Sequence, residues 1–511
     1  MRSARDKKSP FPFYPVIVAA FPVVSFFSAN LAYVPFSQLL RPLICTVVAT
    51  VVLWAILGLV LRSVARGAAA ATVGILCCFA YTPLLSHLGV WAVYPMIFWS
   101  VPTIVLMGCA AWLLTQTKTL NVLSVAIAAV SLANIAYLLG KESFLMARVS
   151  NELVAGHRSG IRPDIFYIIL DGHGRSDAIN RAIGYDNSSF IEGLKQRGFY
   201  VADRSHSNYC QTELSLSSSL NMDFIPNLLP KVKTDEKDRA PLGHLIDYNE
   251  VGRRFRQEGY GYVSVTTGFP PVHLASADVH LGYEGGQSMI ESALIAMTPL
   301  SLNQAAVESQ LVERRKQLLS AFEDLKTLAQ PTGTPRLIVA HILAPHPPFV
   351  FNADGTAAPR HGTFAYVDGS DYMDNVGPPS QYRYGYANQV AYIEKKVLET
   401  VDVLIATAKP GKPPIIIIQG DHGSKVGLNQ NSLAKTDVHE VFPILNAYFV
   451  PDQIRNDLRP DISPVNSFRL VLSDLFGEDL PPLADRSWYS TFPLPYRFTE
   501  VTDRIEPLPA R

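Results

Sequence analysis

The chain has 511 residues, more than one domain ordinarily holds, with 44 basic and 44 acidic side chains and no net charge. That balance conceals two unlike parts: up to Lys141 a single acid, Asp6, stands against nine Lys or Arg, which leaves residues 142–511 acidic by about eight charges. No basic run of nucleic-acid type occurs, which argues against a nucleic-acid partner. Cys45, Cys77, Cys78 and Cys109 lie in apolar runs and Cys210 stands alone in the remainder, so the acidic part has no internal disulfide and no CxxC or zinc-finger spacing.

The first 141 residues read as membrane helices. Asp, Glu, Lys and Arg are absent from Ser9–Leu40, Pro42–Leu61, Gly67–Thr117 and Thr119–Gly140. Roughly 20 apolar residues cross a hydrocarbon core, so the long third run must turn once, near Tyr81–Gly89 where polar and helix-breaking residues cluster. Five spans are expected, over 12–30, 40–61, 67–86, 90–114 and 119–140. A cleaved signal peptide would explain one apolar stretch but not five. Arg2, Arg5, Lys7 and Lys8 precede the first span, Arg62 and Arg66 follow the second, and Lys118 follows the fourth, whereas the opposite loops carry only Arg41. That bias predicts a cytoplasmic amino terminus, and an odd number of spans then carries everything after residue 141 outside. Trp91, Tyr94 and Trp99 suit interfacial anchors. The spans lack the ionisable residues that a transporter uses for coupling, apart from His87 at the expected turn.

Residues 142–160 read as a polar juxtamembrane linker and 161–511 as an α/β domain. Strand-like runs at Asp164–Asp171, Gly261–Thr266, Arg336–Leu343, Pro414–Gln419 and Phe442–Val450 alternate with helical patterns at Ser188–Arg197, Val251–Glu258, Leu302–Ala329, Asn388–Ala408 and Pro464–Phe476. Strands alternating with helices predict a mostly parallel sheet covered on both faces, with ligands at the carboxyl ends of the strands. Asn352–Pro379, rich in Gly, Asp and Pro, reads as a long surface loop.

Two strands end in ligand-type residues: Leu170-Asp171-Gly172-His173-Gly174, and Ile418-Gln419-Gly420-Asp421-His422-Gly423. Carboxylates and an imidazole facing one crevice can hold a divalent cation. An Asp-Gly pair after a strand is also an ordinary turn; an Asp-His-Gly after four isoleucines is more specific. Between them lies Ser207–Asn221, where Thr212 or Ser215 can either cap a helix or present a nucleophilic hydroxyl.

The order Asp171, Thr212, Asp421-His422 resembles the sulfatase-like branch of the alkaline phosphatase superfamily. The architecture resembles its membrane-anchored transferases, lipoteichoic-acid synthase and the lipid A phosphoethanolamine transferases. That resemblance implies a metal ligand at Asp171, a metal-bound threonine nucleophile at Thr212 (followed by Ser215 and Leu216), and two further ligands at Asp421 and His422. It also implies a histidine that contacts the transferred group, matched by His346 in Ala344-Pro345-His346-Pro347-Pro348, with His341 as second choice. The sequence departs from the pattern in three respects. Cys210-Gln-Thr-Glu-Leu is not the C-x-P-x-R of sulfatases, which tells against sulfate-ester hydrolysis by formylglycine. The disulfides usual in phosphoethanolamine transferases cannot form. The family's D-H-G-E-S reads Asp421-His422-Gly423-Ser424-Lys425, where Lys425 is either an aid to an anionic group or a solvated loop residue. One cation is expected, Zn or Mn suiting the donor set better than Mg, and His439 has no assigned part.

The expected activity is metal-dependent transfer of a phosphoryl-linked group, of glycerol phosphate or phosphoethanolamine type, onto an envelope lipid or glycan through a phospho-threonine. The rivals are a membrane-anchored hydrolase with water as acceptor, and an inactive binding module. The sequence gives no reading of oligomeric state.

Overall fold

The computed structural model describes residues 10–29, 37–88, 95–114, 116–149, 162–283, 285, 287–302, 304–359, 366–408 and 411–505. By internal contacts the chain forms two units, Met1–Glu152 with Gly286–Gln310, and Leu153–Gly285 with Leu311–Arg511. Most of the expected linker, residues 150–160, and both Trp91 and Tyr94 lie outside the described residues.

The first unit is built of helices: Tyr14–Ala29, Ser37–Val60, Val64–Phe79, Tyr81–Leu88, Pro95–Leu113 and Thr117–Val149. They occupy the five expected apolar regions. Among the described residues, however, only two segments are long and apolar enough to cross a membrane, Gln38–Val60 and Thr117–Tyr137; Tyr14–Ser28, Val64–Phe79 and Trp99–Leu113 are shorter. The expected third span ends early, because the helix stops at Ala80 and a separate turn of helix begins at Tyr81. The last helix runs past Lys141 to Val149 and so takes in the first residues of the expected linker. Ile44, Val48, Ile56 and Leu59 on one helix and Val122, Val130 and Leu132 on another are exposed, large apolar side chains of the kind that mark an interaction or membrane surface where they gather into patches.

This unit also recruits a segment from the middle of the chain. Met289–Ala296 is a helix started by a capping box of Ser288 and Glu291. Its Ile290 and Leu294 pack with Val23, Phe27, Leu39 and Ile135. Glu291 also pairs with Arg41, the one basic residue of the inter-span loops expected on that side of the membrane. Neither the periodicity nor the charge of 286–310 distinguished this segment from its surroundings.

The second unit carries a seven-stranded sheet. Its strands are β1 (Ile165–Leu170), β2 (Tyr200–Val201), β3 (Gly261–Thr266), β4 (Val279–Leu281), β5 (Arg336–Ile342), β6 (Ile415–Gln419) and β7 (Asn446–Phe449), in the order β2-β7-β6-β1-β5-β3-β4. From β4 across to β6 every pairing is parallel; β7 runs antiparallel to both its neighbours. All five strand-like runs are strands. The sequence reading missed β2 and β4, which are two and three residues long, and the hairpin β8 (Trp488–Thr491) and β9 (Leu494–Glu500).

β1 is wholly buried because both its faces are covered. Phe166, Ile168 and Leu170 join one apolar cluster with the long helices Gln304–Leu328 and Pro379–Ala406. Ile165, Tyr167 and Ile169 join the other with Leu216, Leu220, Phe255 and Phe468. Register then aligns the ends of the central strands, pairing Leu170 with Ile342 and Ile169 with both His341 and Gln419.

Candidate metal and phosphoryl site

Asp171 follows β1 directly, His341 is the penultimate residue of β5, and Asp421 lies two residues beyond β6. Three adjacent parallel strands thus deliver three ligand-type side chains to one point, where one atom of each lies within 4.8 Å of the others. Gly172 makes the turn possible with φ +78°, a left-handed conformation that glycine adopts without strain. Gly420 permits close packing, since a Cβ there would stand 2.3 Å from the carbonyl oxygen of His173.

His422 and Thr212 complete the group. His422 Nε2 lies 3.4 Å from Asp171 Oδ1 and 3.2 Å from Asp421 Oδ2, while its Nδ1 faces the Gly423 carbonyl at 2.9 Å. Thr212 Oγ1 is 3.1 Å from His422 Nε2 and donates to Asp171 Oδ2 at 3.4 Å. Thr212 begins the buried helix Thr212–Ser219. It does not cap that helix: the cap position is Gln211, whose amide turns away to Ser490. Ser215 instead donates to the Asp421 carbonyl at 2.5 Å. The capping alternative for these hydroxyls is therefore not what the helix uses.

Buried polar atoms ordinarily find hydrogen-bond partners. Here Asp171 Oδ1, Asp421 Oδ2 and both ring nitrogens of His341 are buried with none. His341 Nε2 and Asp171 Oδ2 are 3.2 Å apart, but they are not aligned as a hydrogen bond. Two carboxylates and an imidazole with unfilled lone pairs fit a divalent cation, of the borderline kind that takes mixed nitrogen and oxygen donors. Burial alone would raise the Asp171 carboxyl, but His346, His341 and His422 hold it well below the usual carboxylate range. Burial pushes the His422 imidazole down, against the pull of Asp421.

His346 stands apart from this cluster. Its backbone N–H donates to the Asp171 carbonyl at 3.1 Å, but its ring reaches Asp368 Oδ2 (3.4 Å) and the Pro347 carbonyl (2.5 Å). Asp368, from the stretch read as a surface loop, is buried and begins the helix Gly369–Asn375. It accepts from Tyr382 Oη at 2.8 Å and lies 3.3 Å from Lys425 Nζ.

Of the residues singled out by sequence, Asp171, Thr212, Asp421 and His422 come together. His346 lies beside a second group, and His341, ranked behind it, stands among the carboxylates. Strand alternation held the signal for His341: it continues the series Leu337, Val339, which faces the same side as the Thr212 helix. Asp368 and Tyr382 gave no such signal. His439 caps nothing and joins no metal-type cluster among the described residues.

Neither a protein-family model nor a curated protein matches this chain. Its likeness is to solved structures of phosphoethanolamine transferases and of the alkaline phosphatase superfamily. The C-terminal periplasmic domain of EcEptC from Escherichia coli in complex with Zn is 12% identical, with a TM-score of 0.44 over 70% of this chain and 98% of that one. Lipooligosaccharide phosphoethanolamine transferase A, an integral membrane protein from Neisseria meningitidis, is 12% identical, with a TM-score of 0.37 over 90% of this chain and 95% of that one. The phosphonate monoester hydrolase of Agrobacterium radiobacter is 14% identical, with a TM-score of 0.40 over 64% and 80%.

Proposed function

We propose that the protein is a membrane-anchored, metal-dependent transferase that moves a phosphoryl-linked group, of glycerol phosphate or phosphoethanolamine type, onto an envelope lipid or glycan. The carrying observation is a helix-initial hydroxyl, Thr212 Oγ1, within 3.4 Å of Asp171 and 3.1 Å of His422, beside buried carboxylates with unfilled oxygens. Asp171, His341, Asp421 and His422, with the Thr212 oxygen, would hold one divalent ion, Zn or Mn suiting the set better than Mg. When bound, such an ion supplies Lewis-acid polarisation and lowers the pKa of a coordinated hydroxyl.

Thr212 Oγ1, its proton passing to solvent, attacks phosphorus in line; its bond to phosphorus forms as the bond to the leaving oxygen breaks, giving a phospho-threonine. The leading N–H groups of the Thr212–Ser219 helix face the anionic group. His346, whose Nδ1 faces the Pro347 carbonyl and whose Nε2 makes no short bond, is the residue that passes a proton to the leaving oxygen. The acceptor hydroxyl, giving its proton to His346, then attacks phosphorus; the bond to Thr212 Oγ1 breaks, and that oxygen takes a proton back from solvent. A lipid-borne substrate accounts for an anchor of several apolar helices where one would tether. In this reading five spans occupy residues 1–141 with the amino terminus in the cytoplasm, 142–160 links them, and 161–511 works outside the membrane.

Lipid and glycan profiling of a deletion strain, complemented with wild-type or Thr212→Ala protein, tests the proposal. A modified lipid or glycan should return with the wild type alone. Near-wild-type activity in purified Thr212→Ala protein, or full activity without metal, overturns it; release of free phosphate or alcohol as the only product points to the hydrolase instead.

A further inference from the structure

Lys425 is the one buried lysine among the described residues. The loop that carries it is pinned on both sides. Ser424 Oγ and Val426 N donate to Glu440 Oε1 at 2.7 and 2.8 Å, Gly427 N donates to Glu440 Oε2 at 2.9 Å, and Lys425's own N–H donates to Tyr382 Oη at 3.3 Å. The side chain therefore leaves a fixed backbone. Its ammonium has three donors, and the nearest acceptor is Asp368 Oδ2 at 3.3 Å. No shorter contact engages Nζ among the described residues. A buried cation with donors to spare is costly unless something fills them.

Its partner is equally under-used. Asp368 Oδ1 accepts from Tyr382 Oη (2.8 Å) and Gly369 N (2.9 Å), whereas Oδ2 faces both Lys425 Nζ (3.3 Å) and His346 Nε2 (3.4 Å) without a short bond to either. Burial works against the charge on Lys425, and Asp368, Asp171 and Asp421 outweigh it, so the ammonium is held above its usual range. Lys425 is thus a fixed positive charge in the field of the strand-end carboxylates, with His346 sharing its counter-ion.

We propose that Lys425 receives a negatively charged oxygen of the substrate's phosphoryl group, and that Asp368 is the counter-ion with which that oxygen competes. The oxyanion takes the ammonium donors that Asp368 leaves open, next to the proton carrier His346. The proposal rests on the phosphoryl-transfer reading for the identity of the substrate, but not for the existence of the anion site.

The test is calorimetric binding of inorganic phosphate to the full-length, metal-loaded protein in detergent, with metal content and melting temperature measured for each variant. Lys425→Met should weaken phosphate binding by about tenfold or more, the scale of a lost charge-assisted hydrogen bond, and Lys425→Arg should restore it to within a few-fold. Asp368→Asn should act in the opposite direction and tighten phosphate several-fold, because it removes the competing negative charge. A buried ion pair with a merely structural role predicts equal loosening by Lys425→Met and Asp368→Asn, and that result overturns the proposal. So does wild-type phosphate affinity in a folded, metal-loaded Lys425→Met protein. If Lys425→Met does not fold, the sign of the Asp368→Asn shift still decides. Opposite shifts in a protein without phosphoryl-transfer activity would uphold Lys425 and sink the proposed reaction; transfer activity with unshifted phosphate binding would do the reverse.

Discussion

Among the described residues of the second unit, four acidic side chains are exposed by 2% or less, and they fall into two pairs. Glu394 accepts from Asn187 Nδ2 (2.6 Å) and Tyr185 Oη (3.0 Å) and faces His173 Nε2 at 3.2 Å. Glu440 accepts from Ser424, Val426 and Gly427. Every oxygen of these two is used by neighbours that have no other business there, so they lock loops together. Asp171 and Asp421 are as deeply buried, yet each keeps one oxygen without a partner. What sets Asp171 and Asp421 apart is an unfilled lone pair on a fully buried carboxylate beside other ligand-type side chains, a cost of folding that a ligand would relieve.

The comparison can be tested from its strongest consequence downwards. Thr212→Ala, which removes the hydroxyl beside Asp171 and His422, should lower turnover on the order of 10⁴-fold or more, measured in a purified assay against metal-loaded wild type. Asp421→Asn or His341→Ala should cut metal affinity by more than the ~10–100-fold typical of a residue that only supports a ligand, as read by elemental analysis after dialysis. Asp421→Asn should also leave the metal-free protein no less stable, while forfeiting the ~2.7 kcal/mol that metal at a hundred times its dissociation constant adds to wild type. Glu394→Gln should do the opposite: a loss of about 1–3 kcal/mol with or without metal, since an amide nitrogen would face a donor.

A fourth test is a pH profile. Burial raises the Glu440 carboxyl from its ordinary 4.5 to about 7, with Ser424 pulling it down and Asp437 pushing it up. An acid that holds its proton more tightly when folded stabilises the fold below the unfolded pKa and loses that contribution as pH climbs through the folded one. Melting temperature in detergent should therefore fall between pH 4.5 and about 7 by an amount that Glu440→Gln abolishes; parallel wild-type and variant curves would rule Glu440 out as the cause. The smallest effect is expected at His439, where Ala should leave metal content unchanged and stability within about 0.5 kcal/mol.

Much of the fold was readable because its strands obey simple rules. β1 and β6 are unbroken apolar runs of a length that suits a strand buried on both faces, and the long helices between strands carry clear periodicity. The antiparallel course of β7 left no mark, because residue type does not encode direction. β2 and β4 are too short for any pattern. In the site, Asp171, Asp421 and His422 were visible because ligand-type residues interrupt apolar strands at their ends. His341 was undervalued because it lies within a strand, where one histidine in seven residues reads as packing. Asp368 was invisible: it comes from a Gly- and Pro-rich stretch, and its burial follows from Tyr382 and Lys425, far away in sequence. The helix Met289–Ala296 escaped for a similar reason, since Glu291 acquires meaning only through Arg41.

The origin of the three central ligands has a consequence for how the site can change. Asp171, His341 and Asp421 hang on β1, β5 and β6, which are hydrogen-bonded neighbours inside the sheet. Thr212, His346, Asp368 and Lys425 come from loops and helix starts. Backbone amides of the first group should be among the last to exchange with solvent, opening only when the sheet opens. Those of the second are held by loop and side-chain contacts rather than by strand pairing, as Glu440 and Tyr382 hold the backbone around Lys425. Loop exchange or insertion between 346 and 368, or after 425, would then re-aim the groups proposed to meet a substrate while the trio proposed to hold the ion is inherited unchanged.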